Sequence, residues 1–455
     1  MPRVDELQKK YPTLPRETII KMDALRHGIK DSEVLDRVGV WQRRLPIYQS
    51  HDHDLSRREI AEKRPETVRP GYILHLSPFY LKNAIGVRVE RDSTSPYEFK
   101  ELGSGQFGLY EGEEKVESIY FARHKRRKFD EDVTSQGIPV ASLVDIQRSC
   151  FVITPLRFCE YFAFGEQCKF CNYNYTYEDA QAVGADRAAT INLMETVEAY
   201  KIATSSTTFV EGRFLMGGLR SSEKEARIHL DFVESIAKAA SHKPNLSVHT
   251  QPISRKEMQR LKDVGLNCLT FQMEVWDRRL FAEICPGKDK HTGHERYKEA
   301  CHEAVDTFGA GNVGNVFVGS VTMMPPSGHQ TWQESRDSLI EGNRWMIKNG
   351  VFPVFLTLRL GVGSTYGEDK SNQQKLAPTE YYLDTILAHH NDVKEYGLYS
   401  KLNKLMFCPM DCLANHYSGE VGFVEKAGNL ADWLADCVPG ESNWLAQFPS
   451  STKTQ

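Results

Sequence analysis

After residue 145 the chain alternates short apolar runs with amphipathic stretches, and that alternation leaves few folds open. The runs CFVITP (150–155), TTFVEGRFLMGG (207–218), LSVHTQP (246–252), CLTFQMEVW (268–276), VGNVFVGSVT (313–322), FPVFLTLRL (352–360) and KLMFC (404–408) read as strands. Between them, 223–240, 255–264, 293–308 and 332–349 carry helical periodicity. Strands separated by helices of this length predict a parallel sheet with crossover helices, an α/β fold. Seven strands in this order predict a (βα) TIM-type barrel, complete or nearly complete, over residues 146–410, with 411–455 as a C-terminal extension. Sites in such barrels lie at the C-terminal ends of the strands.

The 455 residues exceed what one minimal core needs. Residues 1–145 read as an N-terminal α+β accessory region, helical at first and then a small sheet. Thr13 and Pro15 open an amphipathic run through Ile19, Ile20, Met22 and Leu25, and a second short helix starts near Asp31. From Tyr72 to Phe121 the runs YILHL, IGVRVE, QFGLYEG and SIYFARH are strand-like. His51 and His53 alternate with Asp52 and Asp54, a pattern of solvated loops more than of metal sites. The basic run from His124 to Lys128 faces Asp130, Glu131 and Asp132 as a charge-balanced turn.

A net charge of −4 is close to neutral for this length, which argues against nucleic acid and anionic membrane as partners. The opening MPRVDELQKKYPTLPRE is charged and broken by prolines, unlike a signal peptide. No window approaches the roughly 20 apolar residues of a membrane helix. The expectation is a soluble, cytoplasmic protein whose 10 cysteines are ligands and free thiols more than disulfides.

Three of those cysteines, Cys159, Cys168 and Cys171, share one loop straight after the first strand of the barrel. Three thiolates on a short loop can hold three irons of a [4Fe–4S] cube and leave the fourth iron open to a small chelating molecule. The Cys168–Cys171 pair alone also fits zinc or a redox dithiol. Zinc would want a fourth ligand nearby, and His229 is the nearest downstream histidine.

Strand, cysteine loop and the aromatic Phe170 before the last cysteine together resemble the radical S-adenosylmethionine (SAM) superfamily. The branch is that of biotin synthase, the hydrogenase maturases and the Hmd-cofactor synthase. The superfamily's usual spacing is C-x3-C-x2-C, and this chain departs from it with C-x8-C-x2-C. The resemblance runs over about 146–365 and implies that Cys159, Cys168 and Cys171 carry the cluster. It further implies that SAM lies against Gly217 and Gly218 of the second strand end, with its ribose on Gln272 and Glu274 of the fourth. Its carboxylate would fall to Arg296, with Lys288 in reserve, and its adenine to Val316 and Phe317. Read from the residues alone, Gly217-Gly218 is equally an ordinary turn, Glu274 a salt-bridge partner and Val316 and Phe317 core.

What the resemblance implies for function is reductive cleavage of SAM to a carbon radical that transforms a small molecule, in a biosynthetic setting, with electrons from a flavodoxin or ferredoxin. The default radical is 5′-deoxyadenosyl; the longer loop also leaves room for a 3-amino-3-carboxypropyl radical. Two other readings stand beside it: a zinc-stabilised barrel hydrolase or binding protein, and an iron–sulfur scaffold without SAM chemistry. Cys408, Cys412 and Cys437 suggest a second cluster, whereas Cys150, Cys268, Cys285 and Cys301 read as core or helix-face residues. Late in the barrel, Thr357, Arg359 and Ser364 are candidates for polar substrate contacts. Arg359 needs an anion, from either substrate or a neighbouring carboxylate.

Overall fold

A computed structural model describes residues 1–30, 32–38, 40–42, 62, 68–69, 72–75, 79–81, 85–103, 105–121, 131–147, 150–175, 190–205, 211–403 and 416–417. His51, Asp52, His53, Asp54, the run 124–128, Asp130, the strand expected at 404–408, and Cys408, Cys412 and Cys437 lie outside them.

The main sheet is built of β1 (Val144–Gln147), β2 (Cys150–Ile153), β3 (Glu211–Phe214), β4 (Asn245–Thr250), β5 (Leu266–Glu274), β6 (Val313–Gly319), β7 (Val351–Thr357) and β8 (His416–Tyr417). In space the strands follow sequence order. Strands β2 to β7 are mutually parallel, while β1 and β8 pair antiparallel at the two edges. Sequence order with right-handed helical crossovers is how a barrel sheet is wound. Among the described residues the two edge strands are not joined, so what is seen is a six-stranded parallel sheet with antiparallel borders.

Helices form where caps permit. In the N-terminal region α1 (Arg3–Lys10) and α2 (Arg16–His27) start after Pro2 and Pro15. Around the sheet run α3 (Glu160–Ala163), α4 (Leu193–Thr204), α5 (Ser222–Ala239), α6 (Arg255–Asp263), α7 (Arg278–Ile284), α8 (Pro286–His291), α9 (His294–Phe308), α10 (Trp332–Lys348) and α11 (Thr379–Glu395). Capping boxes open α6 (Ser254 with Glu257) and α10 (Thr331 with Glu334). Helix α9 ends at Gly309, whose φ of 91° a side chain would resist.

Register sorts the sheet into two faces. Phe151 packs on Tyr200 of α4 (ring centroids 4.9 Å apart) and Phe355 lies against His389 of α11 (6.4 Å). Pairing carries that helix-facing side through Gly212, Val248, Leu269, Asn315 and Phe317. The opposite face carries Val152, Arg213, Ser247, His249, Thr270, Val316 and Val354. All seven residues of β6 are buried, as a central parallel strand requires.

The accessory sheet is antiparallel, and its strands Tyr97–Gly103, Gln106–Glu111 and Glu114–Phe121 form a meander. The first of these alternates too briefly to show in the sequence pattern. Asp23 of α2, fully buried, ties the N-terminal region to the barrel: Tyr97 and Thr379 donate their hydroxyls to it. Arg359, just beyond β7, makes a second tie. Its Nε lies 2.8 Å from Glu90 and its Nη2 3.3 Å from Asp92, and its Nη1 donates to the carbonyls of Leu25 and Arg26 at the C-terminus of α2. Carbonyls at a helix end favour a cation. The anion that Arg359 requires is therefore a pair of neighbouring carboxylates. Arg359→Ala should lower stability by about 1–3 kcal/mol, because it removes the cation that Glu90 and Asp92 share, while Arg88 still pairs with Glu90 and Thr94 still donates to Asp92. Chemical denaturation checks this, and an unchanged midpoint would contradict it.

Candidate active site

The cysteine loop leaves β2 and turns across the ends of β3 and β4. Its first contact is made of glycine. A Cβ at Gly217 would fall on the Phe158 carbonyl oxygen and within 2.8 Å of Cys159 Cα; one at Gly218 would lie 2.9 Å from the Tyr161 ring and 3.8 Å from Cys159 Sγ. The two glycines thus admit the cysteine loop itself, and the Gly218 carbonyl accepts the Glu160 N–H at 2.9 Å. Asn174 clamps Cys159 from the other side, its Oδ1 accepting from Cys159 N at 2.7 Å and its Nδ2 donating to Cys159 O at 3.2 Å.

The extra residues between Cys159 and Cys168 have a structural use. They form the single turn α3 and return through Glu166, which locks onto α8. The Glu166 carbonyl accepts from Gly287 N at 2.9 Å, and its carboxylate meets Lys290 and, at 2.7 Å, His291. These two partners hold the Glu166 carboxyl down at about 2. Gly287 also leaves room for Tyr161, whose ring stacks on His291 with centroids 5.9 Å apart.

Tyr161 donates to Gln251 Oε1 at 3.1 Å, as does Thr292 at 3.0 Å. Gln251 in turn donates to the Leu219 carbonyl at 2.6 Å and to Glu225 at 2.8 Å. Glu225 is buried on α5 and also accepts from Thr250, Gln251 N and Leu219 N. Burial raises its pKa while these donors oppose the rise. None of these three residues carries a motif. Their signal is only position, on or beside a strand end.

Cys168 is buried, and Cys159 and Cys171 are partly covered. Burial pushes the Cys159 thiol up to about 12, with charge on Cys168 adding to the rise. Cys171 is raised by burial and then by both other thiols. Cys168 is lowered, because the Cys285 thiol hydrogen-bonds to it and Lys288 lies near. Three thiols that feel one another's charge resist ionising together unless a cation core sits among them. An iron–sulfur cube supplies that charge, so the donor set fits one. Among the described residues no group of three His, Cys, Asp or Glu is placed to hold a single metal ion.

Glu274 ends β5 in an uncommon conformation. Its φ is 72°, and Val275 N donates back to Met273 O at 2.9 Å, an i to i+2 turn. A non-glycine residue there is strained. The strand shifts register between Phe271 and Glu274, and buried Asn315 braces the bulge by accepting from Met273 N at 3.3 Å. Strain of this kind persists only where the surroundings hold it. Here the holder is Lys288, whose Nζ lies 2.8 Å from Glu274 Oε1 and 2.5 Å from the Gln272 carbonyl. The pair is largely buried and sits beside Cys168 and Cys285.

The structure thus groups Cys159, Cys168, Cys171, Gly217, Gly218, Glu274 and Lys288, with Gln272 on the same strand end and its side chain half-exposed. Phe170 packs on the core beside the loop. Arg296 is occupied elsewhere: its guanidinium binds Glu303 at 2.7 and 3.0 Å and the Ile253 carbonyl at 2.9 Å. Phe317 has no exposed surface and faces the helices, whereas Val316, 8% exposed, lies on the opposite side of β6. No helix among the described residues is long and apolar enough to cross a membrane.

No family model matches the chain. The bacteriochlorophyllide c C-7(1)-hydroxylase of Chlorobaculum limnaeum is 27% identical over 242 residues, which are 49% of this chain and 56% of that protein. The match thus spans little more than half of the relative's length. Among solved structures, methylornithine synthase (PylB) matches with a TM-score of 0.36 and 16% identity over 52% of this chain and 62% of its own. Coproporphyrinogen III oxidase (HemN) from Escherichia coli, described as a radical SAM enzyme, matches with a TM-score of 0.34 and 12% identity over 55% and 54%.

The seating of the loop is open to test. Gly217→Ala should cost about 1–3 kcal/mol of overpacking at the loop and leave the barrel folded. Iron analysis after anaerobic reconstitution should show most of the metal lost with far-ultraviolet circular dichroism unchanged. A fully iron-loaded Gly217→Ala protein would contradict the seating described here.

Proposed function

We propose that this enzyme holds a [4Fe–4S] cluster on Cys159, Cys168 and Cys171 and cleaves SAM reductively to generate a carbon radical, 5′-deoxyadenosyl by default. In this reading the six parallel strands belong to a nearly complete barrel, and the radical transforms a small molecule inside it. The single observation that carries the proposal is the strained Glu274, ion-paired with a buried lysine beside a loop that presents three thiols. The cluster, when bound, supplies the electron that breaks a sulfonium S–C bond.

The chain's own residues do the rest. Asn174, Gly217 and Gly218 position Cys159. Tyr161, Gln251 and Glu225 fix the loop over the strand ends, and Glu166 fixes it to α8. Glu274 is directed to the ribose hydroxyls, as a buried carboxylate that accepts from a diol. Lys288, with three donors of which two are engaged in the free protein, is directed to the SAM carboxylate. It takes that role in preference to Arg296, whose guanidinium is committed to Glu303. Gly217, Gly218, Gln272 and Val316 complete the SAM contacts. Electrons come from a flavodoxin or ferredoxin, and the setting is biosynthetic. A tetrapyrrole is the one specific alternative to a smaller metabolite, because the hydroxylase that matches half of this chain is named for a bacteriochlorophyllide.

Cys159→Ala, Cys168→Ala and Cys171→Ala should each abolish the cluster. Glu274→Ala and Lys288→Ala should retain it and weaken SAM binding by about 1.5–3 kcal/mol, the worth of a charge-assisted hydrogen bond. Binding is read from the SAM-induced change in the electron paramagnetic resonance spectrum of the reduced cluster. Unaltered SAM affinity in both variants would remove the ribose and carboxylate assignments. A cluster whose spectrum ignores SAM would favour the scaffold reading, and stoichiometric zinc without iron the hydrolase reading.

A further inference from the structure

One buried thiol beside the cysteine loop has no role in the function proposed above. Cys285 sits at the junction of α7 and α8 with no exposed surface, and Cys168 is 9% exposed. Two main-chain bonds bring their segments together: Gly287 N donates to Glu166 O and Lys169 N to Ile284 O, each at 2.9 Å. The two bonds run antiparallel, so Cys168 and Cys285 lie opposite each other in the segments between them. The cysteine segment is held from a further side, because Lys169 O accepts from Tyr366 N at 2.9 Å. Inside this bracket the two thiols hydrogen-bond to each other. The sulfurs of Cys159 and Cys171 are served by the main chain instead, from Tyr161 and Gly218 for the first and Tyr173 for the second. A buried cysteine is by default a small inert core residue, but this one meets the sulfur of a residue assigned to the cluster.

We propose that Cys285 is a positioning residue whose S–H donates to the Cys168 sulfur and raises the reduction potential of the cluster that Cys168 helps to hold; this rests on the radical SAM reading. The direction of the bond follows from the chemistry of the pair. A thiolate bound to iron carries no proton and can only accept, so the proton between the two sulfurs belongs to Cys285. A hydrogen bond to a ligand sulfur draws negative charge away from the metal centre and favours its reduced, more negative state. Cys285 thereby eases the entry of the electron on which cleavage of SAM depends. It lies three residues before Lys288, so the start of α8 serves both the cluster sulfur and the proposed SAM carboxylate contact.

Redox titration of the anaerobically reconstituted protein, followed by the electron paramagnetic resonance signal of the reduced cluster, tests this. Cys285→Ala should lower the midpoint potential. One such bond is worth about a two- to tenfold shift in the one-electron equilibrium, which is about 20–60 mV at 59 mV per tenfold. Cys285→Ser carries a hydroxyl, a stronger donor than a thiol, and should raise the potential above that of the native protein. A merely structural cysteine would give shifts of one sign in both variants, or none. An alanine variant that keeps the native potential, or a serine variant that does not exceed it, overturns the proposal. If one variant fails to load iron, the other decides alone. Loss of the cluster in both would make Cys285 a ligand and also overturns it. The two readings fail separately. SAM cleavage by a protein whose potential ignores both substitutions removes only the role of Cys285. The expected shifts in a cluster that never cleaves SAM keep that role and remove the radical chemistry.

Discussion

The cysteine loop is held to the strand ends by contacts too close for any side chain, and the rest of the site is arranged around that seat. Gly217 and Gly218 let the backbone of Phe158 and Cys159 lie directly on the end of the strand. The Gln251 amide then bridges this shelf to Tyr161, and the Glu225 carboxylate satisfies Gln251, Thr250 and Leu219 from below. Buried polar networks are stable only when each member is satisfied, and then they impose one arrangement. The departure from C-x3-C-x2-C fits this frame. A longer first gap would leave a floppy loop unless its residues were tied down. Glu166, through Gly287, His291 and Lys290, ties them to the helix that also carries Lys288.

That shared helix links the two halves of the site. Lys288 reaches the strained end of β5 from the same short α8 whose Gly287 and His291 receive the cysteine loop. Charge, strain and thiols therefore meet within one rigid corner. A buried ion pair is weak evidence of stabilisation, since desolvation offsets most of the attraction. Retaining such a pair beside an unfavourable φ is better explained by a ligand that exploits both.

The alternation of strands and helices was legible because hydrophobic period is a local property, and the observed bounds of β4 to β7 fall within three residues of those expected. The strand Tyr97–Gly103 was not legible, because its alternation runs only from Tyr97 to Lys100 before Glu101 breaks it. Side-chain partners were the harder part. Arg296 looked suited to a carboxylate, yet Glu303 lies seven residues on, two helical turns away on the same helix, and takes it. Lys288 gave no sign in sequence of its burial, which comes from β5, Cys168 and Tyr297 converging from distant positions. The bulge at Gln272–Met273 is likewise set across the sheet by Asn315, so simple alternation could not give the orientation of Glu274.

The central claim is that these thiols, this lysine and this glutamate serve the reductive cleavage of SAM. The most direct measurement is chromatography of the nucleosides released when the anaerobically reconstituted protein is incubated with SAM and dithionite. The expected product is 5′-deoxyadenosine, formed only with iron and reductant present. Intact SAM after prolonged incubation of a fully loaded, reduced protein would contradict the account.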